Sequence, residues 1–252
     1  NDLTDAQQRI VHHHEGPALV FAVAGAGKTT SMVHRIRHLV NAEGVAPRRI
    51  LASSFSRATV NDLQTGIRGV GVRGVDARTL HALGRQFIQH AEEAKHLPPR
   101  LNQQTVNPAD AVRYLAERAL RKLAREQDTE PKALGITTSD LADQIAAWKG
   151  QLCYADLDAA HLPDRALEQA QQATHENEDY LTLYRYAEAE REDEGWITFA
   201  DMLMEGWEAL MRFKVVRTQA QSRYDQVLVD EFQDVNRAQH AILDVLTAPH
   251  RN

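Results

Sequence analysis

Apolar positions in the first hundred residues alternate between two periods. Residues 18–23 (Ala-Leu-Val-Phe-Ala-Val) are a short continuous run rich in β-formers, which predicts a buried strand. The run ends in a glycine-containing turn at Ala24, Gly25, Ala26 and Gly27. Over 28–42 the apolar residues Met32, Val33, Ile36, Leu39 and Val40 recur at helical spacing. The alternation continues with a strand predicted over 49–54, a helix over 57–67, a short strand over 75–79 and a helix over 80–93. Gly66, Gly69, Gly71 and Gly74 break the chain into turns between them. Strands alternating with helices predict an α/β fold, a parallel sheet with helices on both faces.

The pattern changes after residue 95. Pro98-Pro99 and Asn107-Pro108 punctuate a turn, and beyond it strand signals almost vanish. Helices are predicted over 111–125, 139–149 and 163–194. The last ends in an acidic run, 188–194, which reads as a solvated helix face, followed by Gly195. An amphipathic helix over 198–212 comes next, then a strand over 224–230 and a helix over 236–246. This order predicts an α/β domain made of 1–88 and 196–252. A mainly helical insertion, 89–195, interrupts it and is about the size of a small domain. There are no internal repeats and no low-complexity tracts.

Composition narrows the class of protein. With 43% hydrophobic and 25% charged residues the chain is ordinary globular material. Its net charge of −6 does not advertise a nucleic-acid binder, but the charge is uneven. Residues 1–100 hold 13 Lys and Arg against 8 Asp and Glu, whereas 101–252 hold 16 against 27. Such a front is compatible with a phosphate-binding surface and equally with scattered solvated charge. The single cysteine, Cys153, rules out an intrachain disulfide and suits a reducing cytoplasm. No apolar run approaches the roughly 20 residues that span a bilayer. The first five residues carry no secretory pattern, so a cytoplasmic location away from membranes is expected. Three adjacent histidines, His12, His13 and His14, cannot all face one ion, and they read as an exposed linker. Trp148, Trp196 and Trp207 are scattered, as packing residues are.

Two segments carry chemistry. Ala22-Val-Ala-Gly-Ala-Gly-Lys-Thr29 matches the phosphate-loop pattern except that Ala22 stands where the first glycine is usual. Gly25 and Gly27 let the backbone wrap a phosphate, Lys28 reaches the β- and γ-phosphates, and the Thr29 hydroxyl suits Mg²⁺. The helix that follows aims its positive N-terminal end at the anion. The second segment is Asp230-Glu-Phe-Gln-Asp234 at the end of an apolar strand. A carboxylate at Asp230 can hold Mg²⁺, and Glu231 can act on the water that attacks the γ-phosphate. On that basis Glu231→Gln in the full-length parent should nearly abolish ATP turnover while leaving ATP binding almost unchanged.

Together these segments resemble the superfamily 1 helicases of the UvrD/Rep type. Leu3-Thr-Asp-Ala-Gln7 is similar to that family's Q motif, which implies that Gln7 reads adenine. Ser54-Phe55-Ser56-Arg57-Ala58 lies where the family has Thr-Phe-Thr-Asn-Lys, and Thr79-Leu80-His81 resembles its Thr-Phe-His segment. These imply DNA contacts at Phe55, Arg57, Thr79 and His81. Residues 197–201 (Ile-Thr-Phe-Ala-Asp) resemble the point of re-entry into the motor domain. Where the family often has Arg after the phosphate-loop threonine, this chain has Thr30.

The resemblance implies a P-loop NTPase, RecA-like fold with ATP and Mg²⁺ as cofactors. Ala24, Gly25, Ala26, Gly27, Lys28, Thr29, Thr30 and Gln7 would bind the nucleotide, and Thr29 and Asp230 the metal. Lys28, Glu231 and Gln233 would be catalytic. It further implies ATP-dependent DNA helicase activity with 3′-to-5′ movement on single-stranded DNA and unwinding at duplex junctions. A second motor domain and a downstream Gly-Asp-x-x-Gln segment belong to the family pattern. Neither is found in this sequence, so a truncated N-terminal fragment with weak hydrolysis of its own is expected. A helicase subunit of a helicase–nuclease and a non-catalytic nucleotide- or DNA-binding module are the other readings.

Overall fold

In chain order the elements are α1 (Asp5–Val11), α2 (Lys28–Asn41), β1 (Ile50–Ser53), α3 (Arg57–Gly69), β2 (Asp76–Arg78), α4 (Leu80–Glu93) and α5 (Pro108–Glu126). They continue with α6 (Thr138–Gly150), β3 (Cys153–Tyr154), α7 (Asp164–Leu167), β4 (Gln171–Gln172) and α8 (Glu178–Glu194). The last are α9 (Asp201–Arg212), α10 (Lys214–Gln221), β5 (Gln226–Val229) and α11 (Arg237–Thr247). The computed structural model describes residues 3–13, 16–23 and 25–249. The chain divides into two compact units, one of Asn1–Leu83, Arg217–Val235 and Leu243–Asn252, the other of Gly84–Val216 and Asn236–Ile242.

The first unit is built on a parallel three-stranded sheet of order β2-β1-β5. All four residues of β1 are buried, as a central parallel strand requires. Ile50 and Ala52 of β1 pack with Met32, Val33, Ile36 and Leu39 of α2 and with Leu63 and Ile67 of α3. The spacing of those helical residues is the periodicity that predicts both helices. Ser56 starts α3 by accepting from Thr59 N at 3.1 Å, while Thr59 Oγ1 accepts from Ser56 N at 3.1 Å, a reciprocal cap. Beyond the strand ends, Asp225 N donates to Arg49 O and Asp230 N to Ser53 O, each at 2.8 Å. These bonds extend the β1–β5 pairing by a residue at either end.

The strand predicted over 18–23 does not form. Residues 17–23 are irregular, and Leu19, Val20, Phe21 and Val23 are 61%, 42%, 88% and 79% exposed. A strand exists only where a neighbour supplies backbone partners. The sheet ends at β5, and no described strand pairs with its outer edge or with this run. Apolar composition alone therefore leaves the run in water.

The second unit is helical. Leu115, Leu120 and Leu123 of α5, Ile145 and Trp148 of α6, and Leu183 and Tyr184 of α8 form one core cluster. Trp148 stacks on Tyr184 with ring centroids 4.9 Å apart. Trp148, Trp196 and Trp207 are all buried, as packing residues should be. The helix predicted over 163–194 is broken into α7 and α8, with β4 between them paired in parallel to β3. Asn177 restarts the helix by accepting from Asp179 N at 2.9 Å, a cap that the continuous periodicity concealed.

The acidic run is only partly a solvated face. Glu188 is half-buried and pairs with Lys149 Nζ at 2.6 Å and with Arg191 Nε at 3.0 Å. Lys149, itself wholly buried, also holds Asp201 at 2.5 Å, and Arg191 holds Glu205 at 2.7 Å. Burial by itself would raise the Asp201 carboxyl. Arg191 and Lys149, with hydrogen bonds from Lys149 and Thr198, hold it below the usual carboxylate range instead. Glu190 and Glu194 pair with Arg118 on α5, so a run that reads as surface charge stitches three helices together.

Two glycines set the crossing of α4 and α9. A Cβ on Gly84 would lie 2.0 Å from the Met202 carbonyl oxygen, and one on Gly206 would lie 2.6 Å from the Gly84 Cα. Both obstacles are backbone, which cannot rotate away. Gly84→Ala and Gly206→Ala are each expected to destabilise by at least the about 1–3 kcal/mol typical of overpacking. Urea unfolding checks this. A midpoint unchanged in both variants would show that the helices do not cross this closely.

Candidate functional site

The site begins with a cap. Thr4 Oγ1 accepts from Gln7 N at 3.3 Å and Gln7 Oε1 accepts from Thr4 N at 2.9 Å, closing a capping box at the start of α1. The same Gln7 side chain donates through Nε2 to Ala26 O at 3.2 Å, so both ends of its amide are engaged. The Thr-x-x-Gln spacing is a capping signature, and it could have foretold α1 as well as a Q motif. Gln7 Nε2 also sits 2.7 Å from where a Cβ on Gly27 would be, so a larger residue there would push the Gln7 amide aside.

The loop leads into α2. Gly25 and Gly27 have φ of 80° and 77°, a region open to glycine at little cost. No side chain caps α2, so its first backbone amides are open to an anion. Ala26 N donates to Val23 O at 3.1 Å and tightens the turn, while Thr29 and Thr30 are exposed at the helix start. Ala24 lies outside the described residues, as does His14.

The two segments meet. Thr29 Oγ1 donates to Asp230 Oδ2 at 3.4 Å, and Lys28 Nζ pairs with Glu231 Oε2 at 3.0 Å. The backbone bond from Asp230 to Ser53 puts Asp230 at the C-terminal end of β5. Glu231 follows with φ of 52°, a left-handed conformation for a residue that has a Cβ. Such backbone costs on the order of 1–3 kcal/mol and clusters at functional sites. Asp230 Oδ1 accepts from Glu231 N at 3.0 Å and steadies this turn. Gln233 Nε2 donates to the Glu231 carboxylate. The Gln233 hydrogen bond first, and Lys28 second, hold the Glu231 carboxyl below its ordinary value.

This arrangement fits a nucleotide with Mg²⁺. Thr29 and Asp230 offer a hydroxyl and a carboxylate, the oxygen donors a hard cation takes. Lys28 already holds an anion, the Glu231 carboxylate.

The residues assigned to DNA contact lie on the same edge of the sheet, because parallel strands end together. Ser53 is in register with both Arg78 and Val229, so Phe55, Thr79 and Asp230 follow three adjacent strand ends. Phe55 is 60% exposed, and Arg57, the first residue of α3, is exposed. Thr79 Oγ1 accepts from Ala82 N at 3.2 Å, a capping contact at the start of α4. His81 is half-buried, and burial lowers its imidazole to about 4.

Comparison with known proteins follows this geometry. The sequence profile of a family described as UvrD/REP helicase N-terminal domain matches residues 3–252. The ATP-dependent DNA helicase PcrA of Leuconostoc citreum is 27% identical over 258 residues, covering 100% of this chain and 32% of the relative. DNA helicase II of Rickettsia typhi is 23% identical, covering 99% of this chain and 36% of the relative. An ATP-dependent DNA helicase PcrA of Staphylococcus aureus is 21% identical, covering 100% and 32%. The chain thus spans about a third of the length of these relatives. No helix among the described residues is long and apolar enough to cross a membrane.

His81 generates a test. Its folded value of about 4 lies below the ordinary 6.5, so between those values the unfolded chain binds a proton that the folded chain refuses. Its neutral form therefore supports stability fully above pH 6.5, and that support is lost as pH falls towards about 4. His81→Gln is expected to flatten the rise of stability with pH across this window in chemical denaturation series. An unchanged slope would assign the pH dependence to other groups.

Proposed function

Because this chain belongs to the UvrD/REP helicase family as its N-terminal domain, we propose that it is the nucleotide-binding half of an ATP-driven DNA motor. In this reading 1–88 and 196–252 form a P-loop NTPase, RecA-like motor domain and 89–195 its helical insertion. The observation that carries the proposal is the meeting of Lys28 with Glu231 and of Thr29 with Asp230, pairs separated by 203 and 201 residues. The substrate is single-stranded DNA next to a duplex junction, and movement runs 3′-to-5′. Phe55 and Arg57, one strand end away from Asp230, and Thr79 and His81, two strand ends away, form the DNA edge.

The roles follow from the contacts. Gly25, Gly27 and the uncapped amides of α2 hold the phosphates. Gln7 ties the loop to α1 through Ala26 and would have to give up part of that tie to reach adenine. Bound Mg²⁺ would neutralise phosphate charge, held by Thr29 and Asp230. When a γ-phosphate takes Lys28, Glu231 loses one of the two contacts that lower its carboxyl. It then becomes a better acceptor for the proton of the attacking water, and Gln233 keeps it in place. The second motor domain would contribute cationic groups that complete the transition-state charge, worth about 10³–10⁵ in related phosphoryl transfer.

The ion pair changes what mutation should do. In the longer protein, Glu231→Gln should lower ATP turnover by about 10²–10⁴, the usual range for a lost general base. Nucleotide binding should also tighten several-fold, because Lys28 no longer has to leave a carboxylate. Lys28→Ala should weaken binding at least about tenfold, roughly 1.4 kcal/mol. Fluorescent-nucleotide titration and steady-state hydrolysis with single-stranded DNA separate the two effects. Full turnover in Glu231→Gln would sink the catalytic assignment, and hydrolysis indifferent to DNA would sink the motor reading.

A further inference from the structure

The sheet of the first unit has a second end. Opposite Asp230, the N-terminal ends of β1, β2 and β5 lie together with the C-terminal end of α3, and this end is rich in arginine. Its carboxylates are already taken, since Asp225 pairs with Arg49 and Asp76 with Arg78 and Arg223. Arg48, Arg68 and Arg73 are exposed, and none has a carboxylate within ion-pair distance among the described residues. On a chain of net charge −6, this is a localised positive patch.

The patch has a shape. Arg68 and Arg73 line an open pocket of about 450 Å³ together with the buried Ile67 and Val72 and the half-buried Val75 and Ala77, whose apolar side chains give it a floor. Arg48 follows Pro47, whose Cβ lies 3.7 Å from where a Cβ on Gly74 would sit, and Gly74 is part of the same lining. The outer edge of β2 is partly covered, because Gln64 Nε2 donates to Ala77 O at 3.1 Å. An occupant is therefore held by side chains more than by added strand pairing.

We infer that this pocket docks an acidic segment of a partner protein, with carboxylates on Arg68 and Arg73 and an apolar side chain on the floor between them. Guanidinium forks match carboxylates two bonds at a time. One peptide that carries both acidic and apolar side chains can meet the two arginines and the apolar part of the lining together. A nucleic-acid backbone would use the arginines, but its binding is carried by phosphate charge and would leave the apolar floor unfilled.

The test is fluorescence anisotropy with a labelled nine-residue peptide of alternating Glu and Leu, its Gln and Leu counterpart, and a twenty-nucleotide oligothymidylate. The wild-type chain is expected to bind the acidic peptide at least tenfold more tightly than the neutral one. Arg68→Glu with Arg73→Glu should lose at least tenfold for the acidic peptide and leave nucleotide binding unchanged. If that double variant does not fold, Arg48→Glu, which sits beside the pocket, should weaken peptide binding at least threefold. Equal affinity for the two peptides, or binding unaffected by these substitutions, overturns the proposal. So does a tenfold loss of oligothymidylate binding in the same variants, which would make nucleic acid the occupant.

Discussion

The register of β5 on β1 is the constraint on which the proposed nucleotide site depends. Ser53 pairs with Val229, and the next residue, Asp230, donates its backbone N–H to Ser53 O at 2.8 Å. That bond holds a carboxylate at the strand end opposite the uncapped start of α2. A slip of one residue would turn the side chains of β5 to the other face and carry Asp230 away from Thr29. The long stretch of chain between the two segments, Gly84–Val216 of the second unit included, is tolerated because loop-closure cost rises only slowly with length.

At the site, charge is balanced internally. Lys28 sits on Glu231, whose backbone is left-handed and whose carboxylate also receives Gln233. In the proposed reading, a phosphate that enters this loop would replace one anion with another and would not meet a bare cation. The exchange links binding to chemistry, because the residue released by Lys28 is the one proposed to act on water. Gln7 adds a second link, since the amide proposed to read the base also holds the carbonyl of the phosphate loop.

The helical unit is held by a different device. Lys149, Arg191, Glu188, Asp201 and Glu205 form a largely buried network in which each charge meets an opposite one. Removing one partner from such a network leaves an uncompensated buried charge, which is costly even where the intact pair adds little. With the close approach of Gly84 and Gly206, the network makes this unit intolerant of small changes in its interior.

Local chemistry was legible in the sequence. The amphipathic helices over 80–93, 111–125 and 139–149, the strands near 50–53 and 226–229, and the glycine-lysine-threonine and aspartate-glutamate segments all depend on neighbours a few residues away. So did most of the candidate site, whose residues could be named without coordinates. What the sequence could not supply were partners supplied from far along the chain. The run 18–23 has the composition of a strand but no neighbour to pair with, so it stays exposed. Glu188 looks like solvated charge until Lys149 and Arg191 arrive from other positions. Nothing near Gly84 or Gly206 in sequence shows that a Cβ on the first would meet the Met202 backbone, or that one on the second would meet the Gly84 backbone. Even the occupant of Lys28, a carboxylate 203 residues away, was decided by tertiary structure, because an ion pair depends on distance in space and not along the chain.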